Sequence, residues 1–488
     1  MKYFFSYSTT SHASRYPRLL LLLTLSGLAP AAFGQSFGPT RFYPNGPSGS
    51  IANLTLGDIN GDGRPDIITI SPQSSTVGVL MGLAGGAFAP AINYSAGSGS
   101  RPYGVALNDV NSDGHLDIIT ANYNTNTVGV LIGLAGGVFA PVTAYSTGQN
   151  SGPSDVTMGD INGDGQPDII TANLDSNAVG VLLGIAGGGF APVTTYSTGP
   201  NSQPSAVALG DVSGDGRLDI VTANTNASTA GVFRGLAGGR FASMTPYSTG
   251  PNTLPTSVVL GDINGDSRLD IVTSNVSTAL RGMDTAGALL GLAGGGFAPA
   301  TTYSVGISLF PIDVALSDVD GDGLLDIVLA YYSADAVGVF LGQVSGGFTT
   351  MTSFIVGSGR PPIAVVVGDV NGDGRPDIVT AIPSPSVGIA SVGVQLNTGT
   401  FTPIVTARPT AADLALYPNP AHEAFTVQLP AGVSPGSAEL LNALGQVVRR
   451  PAVGAASFRV ETSGLAPGVY TLRLQAGGAA LARRVVVQ

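Results

Sequence analysis

The chain has 488 residues, of which 43% are hydrophobic and only 10% charged, with 70 Gly, 33 Pro, no Cys, no Trp and a net charge of −11. That length has room for several domains, and the Gly and Pro load works against long helices, where each costs ~1 and ~3 kcal/mol respectively. The acidic balance lacks the basic stripe that nucleic acid requires. With no Cys there are no disulfides, zinc-thiolate sites or Cys nucleophiles, and His12, His115 and His422 are too few for much His-based chemistry.

Lys2, Arg15 and Arg18 precede the apolar run at residues 19–25 (LLLLLTL), and small residues follow at 26–35 (SGLAPAAFGQ). A cationic start, a short apolar stretch and a small-residue break predict a secretory signal over residues 1–34, cut after Ala31 or Gly34. The alternative, a membrane anchor, needs ~20 apolar residues. No membrane span is expected in the mature protein.

A nine-residue acidic pattern then recurs seven times, starting at Asp58, Asp109, Asp160, Asp211, Asp262, Asp318 and Asp369, with spacings of 51 residues except one of 56. A period near 50 marks a propeller or a solenoid. In the second unit, runs at 104–107 (GVAL), 118–121 (IITA), 128–132 (VGVLI) and 139–146 (FAPVTAYS) read as four short strands bounded by Gly, Asn and Pro. Four strands in each of seven units predict an all-β, seven-bladed propeller over residues 35–405. A stacked solenoid would carry atypical capping units, and these units are nearly uniform. The Phe-led run occurs once more than the acidic pattern, so one copy is available to close the ring; Phe37 is the predicted latch and Phe401 its competitor.

The pattern D-x-[DN]-x-D-G-x-x-D places oxygen side chains at positions 1, 3, 5 and 9, and a backbone carbonyl is expected at 7. Such a set suits Ca²⁺, which takes 6–8 oxygen ligands, and Gly at position 6 permits the sharp turn. The candidate ligands are Asp58, Asn60, Asp62, Arg64 and Asp66 in the first loop, and Asp109, Asn111, Asp113, His115 and Asp117 in the second. Asp160, Asn162, Asp164, Gln166 and Asp168 make the third, and Asp211, Ser213, Asp215, Arg217 and Asp219 the fourth. The fifth has Asp262, Asn264, Asp266, Arg268 and Asp270; the sixth Asp318, Asp320, Asp322, Leu324 and Asp326; the seventh Asp369, Asn371, Asp373, Arg375 and Asp377. Position 12 is never the bidentate Glu of an EF-hand. Of 31 acidic residues, 22 stand at these positions, a crowding that a cation would relieve. Up to seven structural Ca²⁺ ions are therefore expected, weakest where Ser213 and Ser267 break the pattern. The competing reading is a set of solvated turns.

The segment 57–69 (GDINGDGRPDIIT), followed by VGVLM at 77–81, and its six further copies resemble FG-GAP/VCBS repeats of the kind found in integrin α-subunit propellers and bacterial surface proteins. The resemblance implies a calcium-binding propeller that engages partners on the face opposite its calcium loops, without naming a ligand.

Strand alternation puts the acidic loops and the GLAGG turns on one rim and polar loops such as 122–127 (NYNTNT) on the other. The five surplus residues of the fifth unit fall on that second rim, near 277–284 (STALRGMD), making Arg281 and Asp284 candidate contacts. The recurring Tyr94, Tyr145, Tyr196, Tyr247 and Tyr303 are expected to pack rather than bind sugar. Outside the acidic loops the propeller's only acids are Asp155, Asp175, Asp284, Asp313 and Asp335; nothing in the sequence pairs them as a hydrolase would need, so no enzyme activity and no catalytic residue are expected.

After a linker at 406–412 (TARPTAA), residues 413–488 carry all three Glu and short strand-like runs between Gly/Pro turns, predicting a small β-sandwich. LYPNPA (416–421), NALGQ (442–446) and LAPGVYTLRL (465–474) resemble the type A C-terminal sorting domain of the type IX secretion system. The resemblance implies a Bacteroidota source, handling by that secretion machinery and removal of the domain as the protein is attached or released. The whole predicts an exported binding or adhesion module, secreted or on the outer-membrane surface, whose partner is a surface glycan or protein. A carbohydrate-binding or carbohydrate-active protein is the alternative, and a passive surface-layer component a third reading.

Overall fold

The computed structural model describes residues 36–46, 50–278, 282–343, 346–383 and 389–399, and in the C-terminal segment 415–417, 419–428, 435–442, 447–453, 457–476 and 479–487. The expected leader, Phe401, the expected linker at 406–412 and Arg281 lie outside the described residues. No helix occurs among those described, and none is long and apolar enough to cross a membrane.

Seven four-stranded antiparallel sheets follow the repeat. Blade 2 shows the pattern: Pro102–Asn108, Asp117–Asn122, Thr127–Leu131 and Thr143–Ser146, in that order from inside to outside. The second strand is buried along its whole length, and the fourth is largely exposed. A strand covered on both faces needs a continuous apolar run rather than alternation, which is why DIITAN and its copies read as they do. Innermost strands neighbour one another in cyclic order, from Asn53–Gly57 in blade 1 through to Ala364–Gly368 in blade 7 and back to blade 1. The fold is a closed propeller.

The ring closes where the Phe37 reading expected. The outer strand of blade 7 is Arg41–Pro44 from the start of the chain, paired antiparallel with Ser391–Gln395 (Tyr43 opposite Val392), and Phe37 bridges Asn397.

One strand reading needs correction. The 139–146 run is not continuous: Val138–Phe139 pairs with Gly133–Leu134 in a separate small hairpin, and the outer strand begins only at Thr143. Pro141 lies between them, and proline has no N–H to give a ladder. The break buries the Phe under the neighbouring blade. Tyr94 meets Phe139 edge-on with centroids 5.2 Å apart, Tyr145 meets Phe190 at 5.2 Å, and Tyr196, Tyr247 and Tyr303 meet Phe241, Phe297 and Phe348 at 5.5, 5.1 and 5.1 Å. The recurring tyrosines are thus packing residues, each locking its blade to the next.

The five-residue surplus lengthens blade 5, whose second and third strands run over Asp270–Ser277 and Met283–Leu289. Asp284, read above as a candidate contact, is instead 2% exposed and accepts the Ser277 and Phe310 N–H groups at 2.8 and 2.9 Å. It clamps the longer hairpin to the start of blade 6.

The C-terminal segment forms a three-stranded sheet (Ala415–Tyr417, Ala424–Gln428, Ser457–Glu461) and a four-stranded one (Val447–Arg449, Pro435–Leu441, Gly468–Ala476, Ala479–Val487). Phe425, Val427, Val460, Leu440, Leu472, Leu474 and Val485 share one core. This matches the expected sandwich.

Candidate metal centres

Each acidic loop joins the first strand of a blade to the second, and its carboxylates hold the loop's own backbone. In the first loop Asp58 accepts the N–H groups of Asp62 and Gly63 at 3.0 and 2.7 Å, Asn60 accepts Asp62 at 2.9 Å, and Asp62 accepts Arg64 at 3.0 Å. Asp66 is buried, and its two oxygens take Ile59 N–H at 3.0 Å and Gly82 N–H, in the GLAGG turn, at 2.6 Å. That last bond recurs at Asp117, Asp168, Asp219, Asp270 and Asp326, ties loop to turn on a common rim, and in blade 7 is made to Asn397 by Asp377.

Position 6 adopts a left-handed backbone, φ +82 at Gly63 and +67 at Ser267. Position 4 does too, with Ser112 at φ +60. Such conformations favour Gly, so Ser112 is a second strained position that the D-x-[DN]-x-D-G pattern did not reveal. Ser213 turns its hydroxyl back to Asp211 at 3.4 Å and shifts the buried Asp219 contact onto its own N–H. At position 7, the side chains of Arg64, Arg217, Arg268 and Arg375 pair with the Asp at position 5. These are exposed pairs of small energetic weight.

In the sixth loop, where Asp stands at position 3, oxygen atoms of Asp318, Asp320 and Asp326 lie within 4.8 Å of one another. An all-oxygen set at that spacing fits a hard divalent cation. Burial, then neighbouring acids, raises the Asp320 carboxyl to about 6 and Asp326 to about 8. Burial likewise raises Asp270 and Asp377 to about 6. A bound cation would lower each of these carboxyls.

The opposite end of the ring holds something the sequence did not pair. Asp155 and Asp313 occupy one equivalent position on the innermost strands of blades 3 and 6. Asp155 accepts Val207 N–H of blade 4 at 2.9 Å, and Asp313 accepts Val365 N–H of blade 7 at 2.9 Å and the Ser257 hydroxyl at 2.8 Å. Burial raises Asp155 to about 7, with Asp313 adding to it, and raises Asp313 to about 6.

FG-GAP-like repeats match at residues 58–120, 109–171, 162–222, 211–273 and 318–380, more than half the chain, lapsing only where blade 5 is lengthened. The chain belongs to the FG-GAP-like repeat family. Residues 415–488 match the secretion system C-terminal sorting domain, so this FG-GAP-like protein is exported by type IX secretion, to the cell surface or into the medium. It is 26% identical over 343 residues to mouse cartilage acidic protein 1, covering 60% of the chain and 51% of that protein, so it spans about half the length of the curated relative it matches. Among solved structures it is similar to an Agrocybe aegerita lectin that recognises non-reducing terminal N-acetylglucosamine (20% identity, 63% of this chain and 80% of the lectin, TM-score 0.45). It is also similar to the Pseudomonas aeruginosa periplasmic gluconolactonase PpgL (19% identity, 63% and 86%, TM-score 0.47). At this level neither that protein's ligand nor its reaction transfers to this chain.

Proposed function

We propose that this FG-GAP-like protein is a calcium-stabilised, non-catalytic propeller that works outside the cell as an adhesion or binding module. The observation that carries the calcium part is the recurrence of one preorganised acidic loop in every blade, brought in the sixth to a convergent three-carboxylate cluster. Ca²⁺ would be held by positions 1, 3, 5 and 9 and the position 7 carbonyl of each loop, supplying charge neutralisation rather than chemistry. Partner binding falls to the opposite rim, whose loops the acidic turns do not constrain. Residues 1–34 act as the leader and 413–488 as the removable sorting domain. Cells displaying the intact chain should attach better to a glycan- or protein-coated surface in millimolar Ca²⁺, and EGTA should remove the gain; attachment identical with and without the chain would overturn the module reading.

A second reading, hydrolysis of a glycan, has one observation in its favour, the raised Asp155 and Asp313 carboxyls on the inner strands. Release of reducing sugar by the wild type but not by Asp155→Asn would establish it in place of the binding reading.

A further inference from the structure

We propose that Arg101, Tyr103, Tyr123 and Asp175 form a binding site for a neutral saccharide at the seam between blades 2 and 3, on the rim opposite the acidic loops. The proposal rests on the binding-module reading and specifies its ligand class and location.

The repeat supplies its own control. Tyr103 is the second residue of the innermost strand of blade 2, and the same position in the other blades holds Ala52, Ser154, Ser205, Thr256, Ile312 and Ile363. Arg101 stands where no other blade has a cation, and the Tyr123 position is aromatic elsewhere only at Tyr332. One backbone therefore folds with small, polar or aliphatic residues at these points, so folding does not require the blade 2 set. The tyrosines that meet the buried Phe of the next blade, in contrast, recur in six blades, with Phe354 standing in the sixth, because every seam needs an aromatic there.

The four side chains meet in a defined order. The Arg101 guanidinium lies 5.5 Å from the Tyr103 ring centroid, the Tyr103 and Tyr123 rings meet edge-to-face at 5.7 Å, and the Tyr123 hydroxyl donates to Asp175 Oδ2 at 2.8 Å. Arg101, Tyr103 and Tyr123 are half-buried and Asp175 is exposed, so the bodies are held while an edge faces solvent. Gly152 (φ +55) seats the group: a Cβ there would lie 2.8 Å from Asp175 Oδ2 and 2.9 Å from Tyr123 Cε2. Burial and the facing carboxylate keep the Tyr123 phenol protonated, hence a donor.

A pyranose presents apolar C–H groups beside hydroxyls that both donate and accept. Two phenol rings match the first, and a guanidinium with five donors beside an acceptor carboxylate matches the second. A polyanion is disfavoured, because the single cation is already engaged with Tyr103, a carboxylate shares the site and the whole chain is acidic.

Because 13 of the 15 Tyr lie outside the site, binding is read by titration calorimetry rather than by tyrosine fluorescence. The intact protein, in millimolar Ca²⁺, is titrated with cellohexaose, mannohexaose, chitohexaose and heparin. The comparison variant, R101Q/Y103S/Y123T, installs what blade 4 already carries at Gln203, Ser205 and Thr225, so the backbone accepts it. The expected result is saturable binding of at least one neutral hexasaccharide, weakened at least tenfold in the variant with a Tm within a few degrees of wild type, and weakened several-fold by Asp175→Asn. Equal binding by wild type and triple variant overturns the proposal, as does binding of heparin alone or of none of the probes. In the last case, calcium-dependent attachment that persists in the cell assay shows that only this site has failed; its loss as well removes the module reading too.

Discussion

Phe37 packs edge-on against Phe354, with ring centroids 4.9 Å apart and planes at 78°. Phe354 stands one repeat after Tyr303, and Phe37 takes the place of the buried Phe that each preceding blade receives from within its own unit. Tyr43 makes the matching contact to Phe88, at 5.4 Å. The first described residues of the chain thus complete a circle of seven aromatic contacts, locking blade 6 to blade 7 and blade 7 to blade 1.

Phe37→Ala should therefore cost more than an ordinary terminal substitution. Large-to-small replacement of a packed aromatic costs about 3–5 kcal/mol in a closed core; about 2 kcal/mol or more is expected here, because an end segment relaxes more easily. Urea denaturation of the intact chain checks this, with Phe190→Ala as the internal reference. A loss below about 0.5 kcal/mol would mean that pairing of Arg41–Pro44 alone closes the ring.

The inner-strand acids give the protein a pH dependence of definite sign. Asp155 is raised in the fold to about 7, above the unfolded carboxylate value. Its contribution is fully present below about pH 4, where both states are protonated, and is lost as pH rises toward 7. Asp155→Asn keeps an acceptor for the Val207 N–H and removes the charge. The variant should gain stability over wild type progressively between about pH 4 and 7, reaching on the order of 1–3 kcal/mol. A difference in melting temperature that does not change across that window would refute the assignment.

Much of this was legible in the sequence because a repeat shows each decision seven times. The period, the blade strands and the latch at Phe37 all follow from counting residues against one template, whereas the burial of the Asp at position 9 does not. What the template hid was tertiary. Asp155 and Asp313 lie three blades apart in sequence and share an environment only because the ring closes. Asp284 looked like a surface residue in a polar insertion, yet the longer hairpin folds it onto the Phe310 N–H. Tyr103, Tyr123 and Asp175 come from two units, and their approach depends on Gly152 having no side chain.

Backbone strain in the acidic loops is open to direct test. Ser267→Gly removes a non-glycine residue from φ +67, and Ser112→Gly does the same at φ +60. Each should stabilise the protein by about 0.5–1 kcal/mol, less whatever the freer unfolded chain returns, and Ser267→Gly should tighten calcium binding at the fifth loop. Correspondingly, Asp262→Ala should cost less stability than Asp160→Ala in millimolar Ca²⁺. Equal or larger losses at Asp262 would show that Ser267 does not weaken its loop.

Removal of residues 412–488 should leave the propeller unexported. Fractionation of cells making the truncated chain is expected to find it in the periplasm, whereas normal surface display would mean that the match at 415–488 does not act as a sorting signal.

The most direct test of the calcium-stabilised propeller is thermal unfolding of the intact protein in millimolar Ca²⁺ and again in excess EGTA. Ligands that bind only the folded state raise stability by mass action, and several loops filling together should lift Tm by ten degrees or more. Coincident unfolding curves in calcium and in EGTA would show that the loops are hydrogen-bonded turns without a metal, and the calcium account would fall.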